Sequence, residues 1–211
     1  MILVDKTILS EMENGNIVVK PFNREHLGTN SIDLTLNPKM LVYTNAVTFC
    51  QRTSDYQLIS ENMTDGKTYR SVYSQEGNFI DCRSKNETEE IEIPEEGYIL
   101  QPGQLYIAST NEYTETHNAV PLISGKSSLG RLGLRVHATA GFGDVGFCGT
   151  WTLEIDVIVP LRIYPNMKIC QVYYEPISEA PLVSYDKKDS AKYSGQNGAT
   201  ASLMHENFNN Q

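Results

Sequence analysis

An all-β sandwich or jelly roll is the fold class this sequence predicts, and three observations carry it. Short runs rich in Val, Ile, Tyr and Thr recur between Pro, Gly and Asn turns along most of the 211 residues. No long apolar helical pattern separates them, as a parallel α/β sheet would require. The composition, 40% hydrophobic and 20% charged, is that of an ordinary globular chain with length for a single domain and a sizeable core.

Taken in order, residues Asp5 to Gly15 predict a short helix, with Asp5 as N-cap, Ile8 and Met12 one turn apart, and Asn14-Gly15 ending it. The strand-like segments are NIVVKPF, SIDLTLNPKMLVY, EIEIPEEGYIL, QLYIAST, VPLIS, LRVHATA, TWTLEIDVIV, LRIYP and MKICQVYYEPI. Ser127 to Gly133 predicts a brief helical turn with N–H groups directed at its N-terminal side. About residues 45–90 the chain is polar and irregular, which predicts a surface insertion or an extra hairpin. Residues 184–211 are polar with few apolar anchors and read as a mobile C-terminal arm.

The net charge of −9 argues against a nucleic-acid partner, which needs surplus Lys and Arg along its phosphates. An acid by position 5 and the lack of an 18-residue apolar run argue against a signal peptide and a membrane partner, so a cytoplasmic location is expected. Cys50, Cys82, Cys148 and Cys170 are widely spaced, which favours reduced thiols over a disulfide framework or zinc site. The H-x-E and P-C-x-x-C signature of zinc deaminases is missing.

Ser124 to Ile155 concentrates the chemistry. Gly125, Lys126, Ser127 and Ser128 form a small-residue turn that suits phosphate oxygens, with Arg131 as a second fixed cation. It is no Walker loop, because Val120 stands where that motif needs glycine. Asp144 lies in a glycine-rich stretch, and Glu154 occupies a strand, facing away from Leu153 and Ile155. Taken singly, Asp144 reads as a turn former and Glu154 as a solvated strand residue.

GKSSLGRLGL, TAGFGDVGF, TLEI and AKYSGQNGATAS, in that order, resemble the deoxycytidine triphosphate (dCTP) deaminases of the trimeric deoxyuridine triphosphatase (dUTPase) superfamily, closest to the bifunctional deaminase–diphosphatases. SIDLTLNPKM, LQPGQLYIAS and YPNMKICQ extend the likeness over nearly everything except about residues 45–90. The resemblance implies a dUTPase-like distorted jelly roll and a homotrimer. It also implies dCTP and dUTP as substrates, dTTP as feedback inhibitor, and Mg2+ bound mainly through the triphosphate without dedicated protein ligands. Catalytic roles fall to Glu154 as proton shuttle, Ser127 near the attacking water, Arg131, and Asp144 at the deoxyribose 3′-hydroxyl. The nucleotide-binding set adds Lys126, Ser128, Leu129, Gly130, Ala138, Thr139, Ala140, Phe147, Thr152, Leu153, Gln171, Tyr185, Lys192 and Gln196. Phe147 takes the place of the aromatic against the sugar face, and the last three residues belong to a tail that closes over the ligand.

Within the resemblance, Gly141, where some deaminase-only members carry a bulky basic residue, and Gln171, shared with diphosphatase-type members, lean toward bifunctionality. Two departures stand against the family pattern: Lys126 where arginine is usual, losing the bidentate fork, and Gly143 where a branched apolar residue is usual, which is expected to loosen the loop. His137 reads as a packing or hydrogen-bonding histidine. The alternatives are a deaminase releasing dUTP, a diphosphatase alone, and a nucleotide-sensing or partner-binding protein on the same fold.

Overall fold

A computed structural model, describing residues 1–44, 59–62, 67–70, 80–137 and 140–209, shows strands through most of the chain and only short helices. Two compact units divide it: Met1–Val42 with Glu90–Ala201, and Tyr43–Glu89 with Ser202–Gln211. Among the described residues no helix is long and apolar enough to cross a membrane.

The N-terminal helix α1 (Asp5–Glu13) buries Ile8 completely. Its N-cap is Val4, extended at φ −99°, ψ 165°, and not Asp5 as the sequence suggested. Asp5 already has its N–H on the Thr29 carbonyl at 2.8 Å and forms the first helical residue, where its charge still suits the helix dipole. Gly15, at φ 76°, ends the helix as expected.

The strands are β1 (Ile17–Lys20), β2 (Ile32–Thr35), β3 (Lys39–Tyr43), β4 (Ile59–Asn62), β5 (Lys67–Arg70), β6 (Thr88–Glu92), β7 (Tyr98–Leu100), β8 (Tyr106–Thr116) and β9 (Ala119–Gly125). After the short helix α2 (Ser127–Gly130) come β10 (Leu134–Val136), β11 (Cys148–Val157), β12 (Leu161–Ile163) and β13 (Lys168–Pro176), then α3 (Glu206–Asn209). One sheet has the order β10-β11-β8-β3-β6 with β1 also paired to β8; a second has the order β2-β13-β9; β12 pairs with β7. The core lies between the first two sheets. Alternating residues Leu153, Ile155 and Val157 of β11 meet Ile32 and Leu34 of β2 and Val172 and Tyr174 of β13 in one buried cluster. In the other unit β4 and β5 form an antiparallel hairpin, Ser202 N–H donates to the Tyr43 hydroxyl at 3.1 Å, and the Arg83 guanidinium lies 5.2 Å from the centre of the Phe208 ring.

The strand pattern QLYIAST stops at Thr110, but β8 continues to Thr116. The sequence hides this because the inward residues Glu112, Thr114 and Thr116 are polar. Their burial is offset by hydrogen bonds: Glu112 accepts from the Thr35 N–H and hydroxyl, both at 2.8 Å, and Thr114 Oγ1 accepts from Trp151 Nε1 at 2.9 Å. Between Thr150 and Thr152 the β8–β11 register jumps, with Thr150 opposite Tyr113 and Thr152 opposite Ser109. Trp151 thus stands opposite three residues of β8, and its N–H goes to the Thr110 hydroxyl at 3.0 Å.

That irregularity sets Trp151 beneath Gly143. A Cβ on Gly143 would lie 2.5 Å from Trp151 Cη2 and 2.9 Å from Pro121 Cγ, so the glycine is a packing requirement and the loop is tightly seated where the sequence suggested looseness. Gly143→Ala is expected to destabilise the protein by about 1–3 kcal/mol through overpacking, lowering the melting temperature by roughly 2–12 °C in scanning calorimetry. An unchanged melting temperature would show that the ring can move aside.

Candidate active site

The β9–β13 pairing carries the chain into the turn before α2, and Leu129, buried in the core, pins that short helix down. Ser127, Ser128, Gly130 and Arg131 are left exposed. The N–H groups of Ser127 and Ser128 lie in the first turn, where no preceding helical carbonyl reaches them. Arg131 makes no ion pair among the described residues. Lys126 reaches back to Asp33 on β2, which Lys168 of β13 also contacts at 3.1 Å. Burial pushes the Asp33 carboxyl up, but the hydrogen bonds from Lys126 and Lys168 outweigh it and hold the group below its usual range. Gln171 sits beside this cluster, its Oε1 accepting from the Ser31 hydroxyl at 3.0 Å and its Nε2 donating to the Gly125 carbonyl at 3.3 Å.

On the larger sheet Glu154 projects from the face of β11 opposite Leu153 and Ile155, as the alternation predicts. Its carboxylate is hydrogen-bonded to His137 Nδ1, and the His137 N–H donates to the Glu154 carbonyl at 3.2 Å. Where LRVHATA suggested a continuous strand, β10 stops at Val136 and His137 takes a left-handed conformation at φ 50°. The two side chains differ sharply in environment: that of His137 is 4% exposed and that of Glu154 is 42% exposed. A buried ring therefore backs a carboxylate that faces solvent, the hydrogen-bonding role expected of this histidine. Its Nε2 is buried and finds no partner among the described residues. Ala138 and Thr139 lie outside the described residues, and Ala140 is exposed.

Asp144 is exposed at the end of the glycine-rich loop, and its carbonyl accepts from the Phe147 N–H at 3.0 Å. Phe147 is buried against Trp151, with ring centres 4.6 Å apart, and Tyr185 covers it at 6.2 Å, leaving little of its face for a sugar. Leu153, like Leu129, puts its side chain into the core, so only its backbone is available to a ligand.

The tail is held by backbone geometry. Gly146, at φ 91°, lies under Ser184 to Asp186; a Cβ there would stand 2.5 Å from Asp186 Oδ1 and 2.9 Å from the Tyr185 nitrogen. The Tyr185 hydroxyl accepts from the Tyr193 N–H at 3.2 Å, and Lys192 beside it is half-buried. Gly149 and Gln196 form a parallel bridge, the Thr150 N–H donates to the Gln196 carbonyl at 3.0 Å, and Gln196 Nε2 donates to the Thr150 carbonyl at 2.7 Å. Thr152 Oγ1 receives the Thr200 N–H at 3.2 Å. A segment that composition alone marks as a frayed end thus lies along β11. No described hydrogen bond or ion pair joins the Lys126 cluster to Glu154 or to Asp144.

The dCTP deaminase-like family model matches residues 2–177. The chain belongs to that family. Over 208 residues, 99% of each chain, it is 42% identical to a protein of Clostridium botulinum (strain Alaska E43 / Type E3) named dCTP deaminase, dUMP-forming. A protein of the same name from Cytophaga hutchinsonii is 39% identical over 206 residues, 95% of this chain and 98% of the relative. In fold, the chain is similar to the 2′-deoxycytidine 5′-triphosphate deaminase of Agrobacterium tumefaciens, with a TM-score of 0.54 at 17% identity over 83% of this chain and 48% of that one. Asp33 and Lys168 are not among the candidate site residues the sequence offers, though the SIDLTL alternation turns Asp33 away from Ile32 and Leu34.

Gly146→Ala is expected to lift the tail from β11, since both the left-handed backbone and the crowded Cβ oppose it. A cost of about 1 kcal/mol falling on the seated tail would raise its open population roughly fivefold. Limited trypsin digestion at Lys187 and Lys188 reads this out, and identical cleavage rates in wild type and variant would contradict it.

Proposed function

We propose that the chain deaminates dCTP without zinc and couples this to diphosphate hydrolysis, giving dUMP, ammonia and pyrophosphate. Glu154 carries the reading: a solvent-facing carboxylate on a rigid strand, fixed by a buried histidine, is built to move protons. Water adds to C4 of the cytosine as Glu154 takes its proton. The carboxylic acid passes that proton to the ring nitrogen, and a second transfer lets the amine leave as ammonia while C4 keeps the oxygen. In this reading Ser127 orients the water, and the first-turn N–H groups with Lys126, Ser128 and Arg131 neutralise phosphate oxygens.

In the second step water attacks the α-phosphorus and pyrophosphate departs, with Asp144 ordering the sugar hydroxyl and the water. Magnesium bound through the triphosphate would lower the charge on its oxygens. Among the described residues no group of three or more His, Cys, Asp and Glu side chains is arranged to hold a metal ion. Tyr185, Lys192 and Gln196 close over the substrate from the tail, and dTTP is the expected inhibitor of the same pocket.

A homotrimer accompanies this reading. The exposed apolar side chains of Leu132, Ile158 and Val159 gather around Gly133, where a Cβ would meet Ile158 at 3.5 Å and Val159 at 3.6 Å, and such a patch favours burial against another copy. Light scattering on the eluting protein should give three times the 23.7 kDa chain mass; a monomer would remove this part of the proposal.

Incubation with dCTP and magnesium is expected to yield ammonia and dUMP. Accumulation of dUTP as the end product would leave a deaminase alone. Glu154→Gln keeps the shape and loses the base, so ammonia release should fall on the order of 1,000-fold or more with substrate binding retained. A variant keeping more than about a tenth of the wild-type rate would assign the proton work to another group.

A further inference from the structure

Lys168 is no part of the GKSSLGRLGL phosphate motif, yet its ammonium shares a carboxylate with Lys126 of that motif. Side chains on a strand alternate, so residues 168 and 171 of β13 should face opposite ways. They do not. Lys168 pairs with Thr35 and Cys170 with Leu34, a step of two residues on β13 against one on β2. The extra residue is a bulge: Ile169 and Cys170 are both buried, and Lys168 and Gln171 both emerge on the outer face, where Asp33 stands.

The result is a cation pair on one anion. Lys126 holds Asp33 Oδ1, and Lys168 holds Oδ2 at 3.1 Å. One lysine would neutralise one aspartate; two leave the cluster with a net positive charge in a chain whose net charge is −9. Lys168 also has capacity to spare. Of its three N–H donors, one meets Asp33 and one the Glu25 carbonyl at 3.3 Å, and its side chain is 40% exposed. Lys126 is the residue immediately before the open first-turn N–H groups of α2.

We infer that Lys168 is a binding residue for the polyphosphate end of a nucleoside triphosphate, held ready beside Lys126 by Asp33 and turned outward by the β13 bulge. The inference rests on the nucleotide reading above and adds to it a residue that the phosphate motif does not contain. Asp33 serves as positioning residue for both ammoniums, restricting two flexible side chains before the ligand arrives.

The test compares two ligands on three proteins. Calorimetric titration of wild type, Lys168→Met and Lys168→Arg is run with an α,β-imido analogue of dCTP and with dCMP, each with magnesium. Loss of one charge-assisted contact should weaken the analogue about tenfold in Lys168→Met and leave dCMP within about twofold, while Lys168→Arg keeps near-wild-type affinity. Should the methionine variant misfold by circular dichroism, Lys168→Gln takes its place with the same expectation. Equal affinity of wild type and variant for the analogue would overturn the role of Lys168 and leave the nucleotide reading standing. Parallel weakening of both ligands would also overturn it, since the loss would then come through the sheet. Failure of the wild type to bind the analogue would remove the nucleotide reading, and this inference with it.

Discussion

The irregular pairing of β8 with β11 around Trp151 is the constraint on which the rest of the molecule depends. Two extra residues of β8 are accommodated there, and an even number preserves the alternation of both strands, so neither turns its apolar face outward. Trp151 enters the core, closes against Phe147, and sets the floor on which Gly143 and the Asp144 loop rest. On the other side of the same irregularity Glu112 turns inward to Thr35, joining the larger sheet to β2 through a buried carboxylate with two donors on it. A hydrogen-bonded carboxylate in that position is costly to leave unpaired, which ties the two sheets to one relative position more firmly than apolar packing alone.

Charge is distributed with similar economy. The chain is acidic overall, yet basic groups assemble where β2, β13 and the start of α2 meet. Asp33 does not cancel this cluster; it orders it. Glu154 is treated differently, with a nearly buried imidazole as its partner and water on its other side. The same type of side chain therefore serves as an anchor in one sheet and as a candidate proton carrier in the other, and the difference lies in what each carboxylate faces.

Much of the fold was legible in the sequence because its strands follow the period-2 pattern. The outward set of Glu154, the brief helix at Ser127 and the turn after α1 were all readable from alternation and turn chemistry. The second half of β8 was not, because Glu112, Thr114 and Thr116 are polar residues whose burial is made tolerable by partners distant in sequence. Neither irregularity of pairing could be read, since the bulge at Ile169 and the jump at Trp151 depend on which strand lies alongside. The site was legible as motifs and less so as contacts. Asp33 and Lys168 come together only through the bulge, and the Phe147 ring proved to be covered by its own tail residue.

The seating of Gly195 to Thr200 along β11 has a consequence for how the protein keeps company with other molecules. While the tail is in place, the Thr150 N–H and carbonyl are both occupied by Gln196, and the flank of the strand from Cys148 to Thr152 is covered. Were the tail to leave, that flank would present unpaired backbone groups in an extended, β-branched stretch, the kind of margin along which one chain recruits another into a growing sheet. The same six residues would then also be a guard against self-assembly, and shortening the chain would show in its colloidal behaviour.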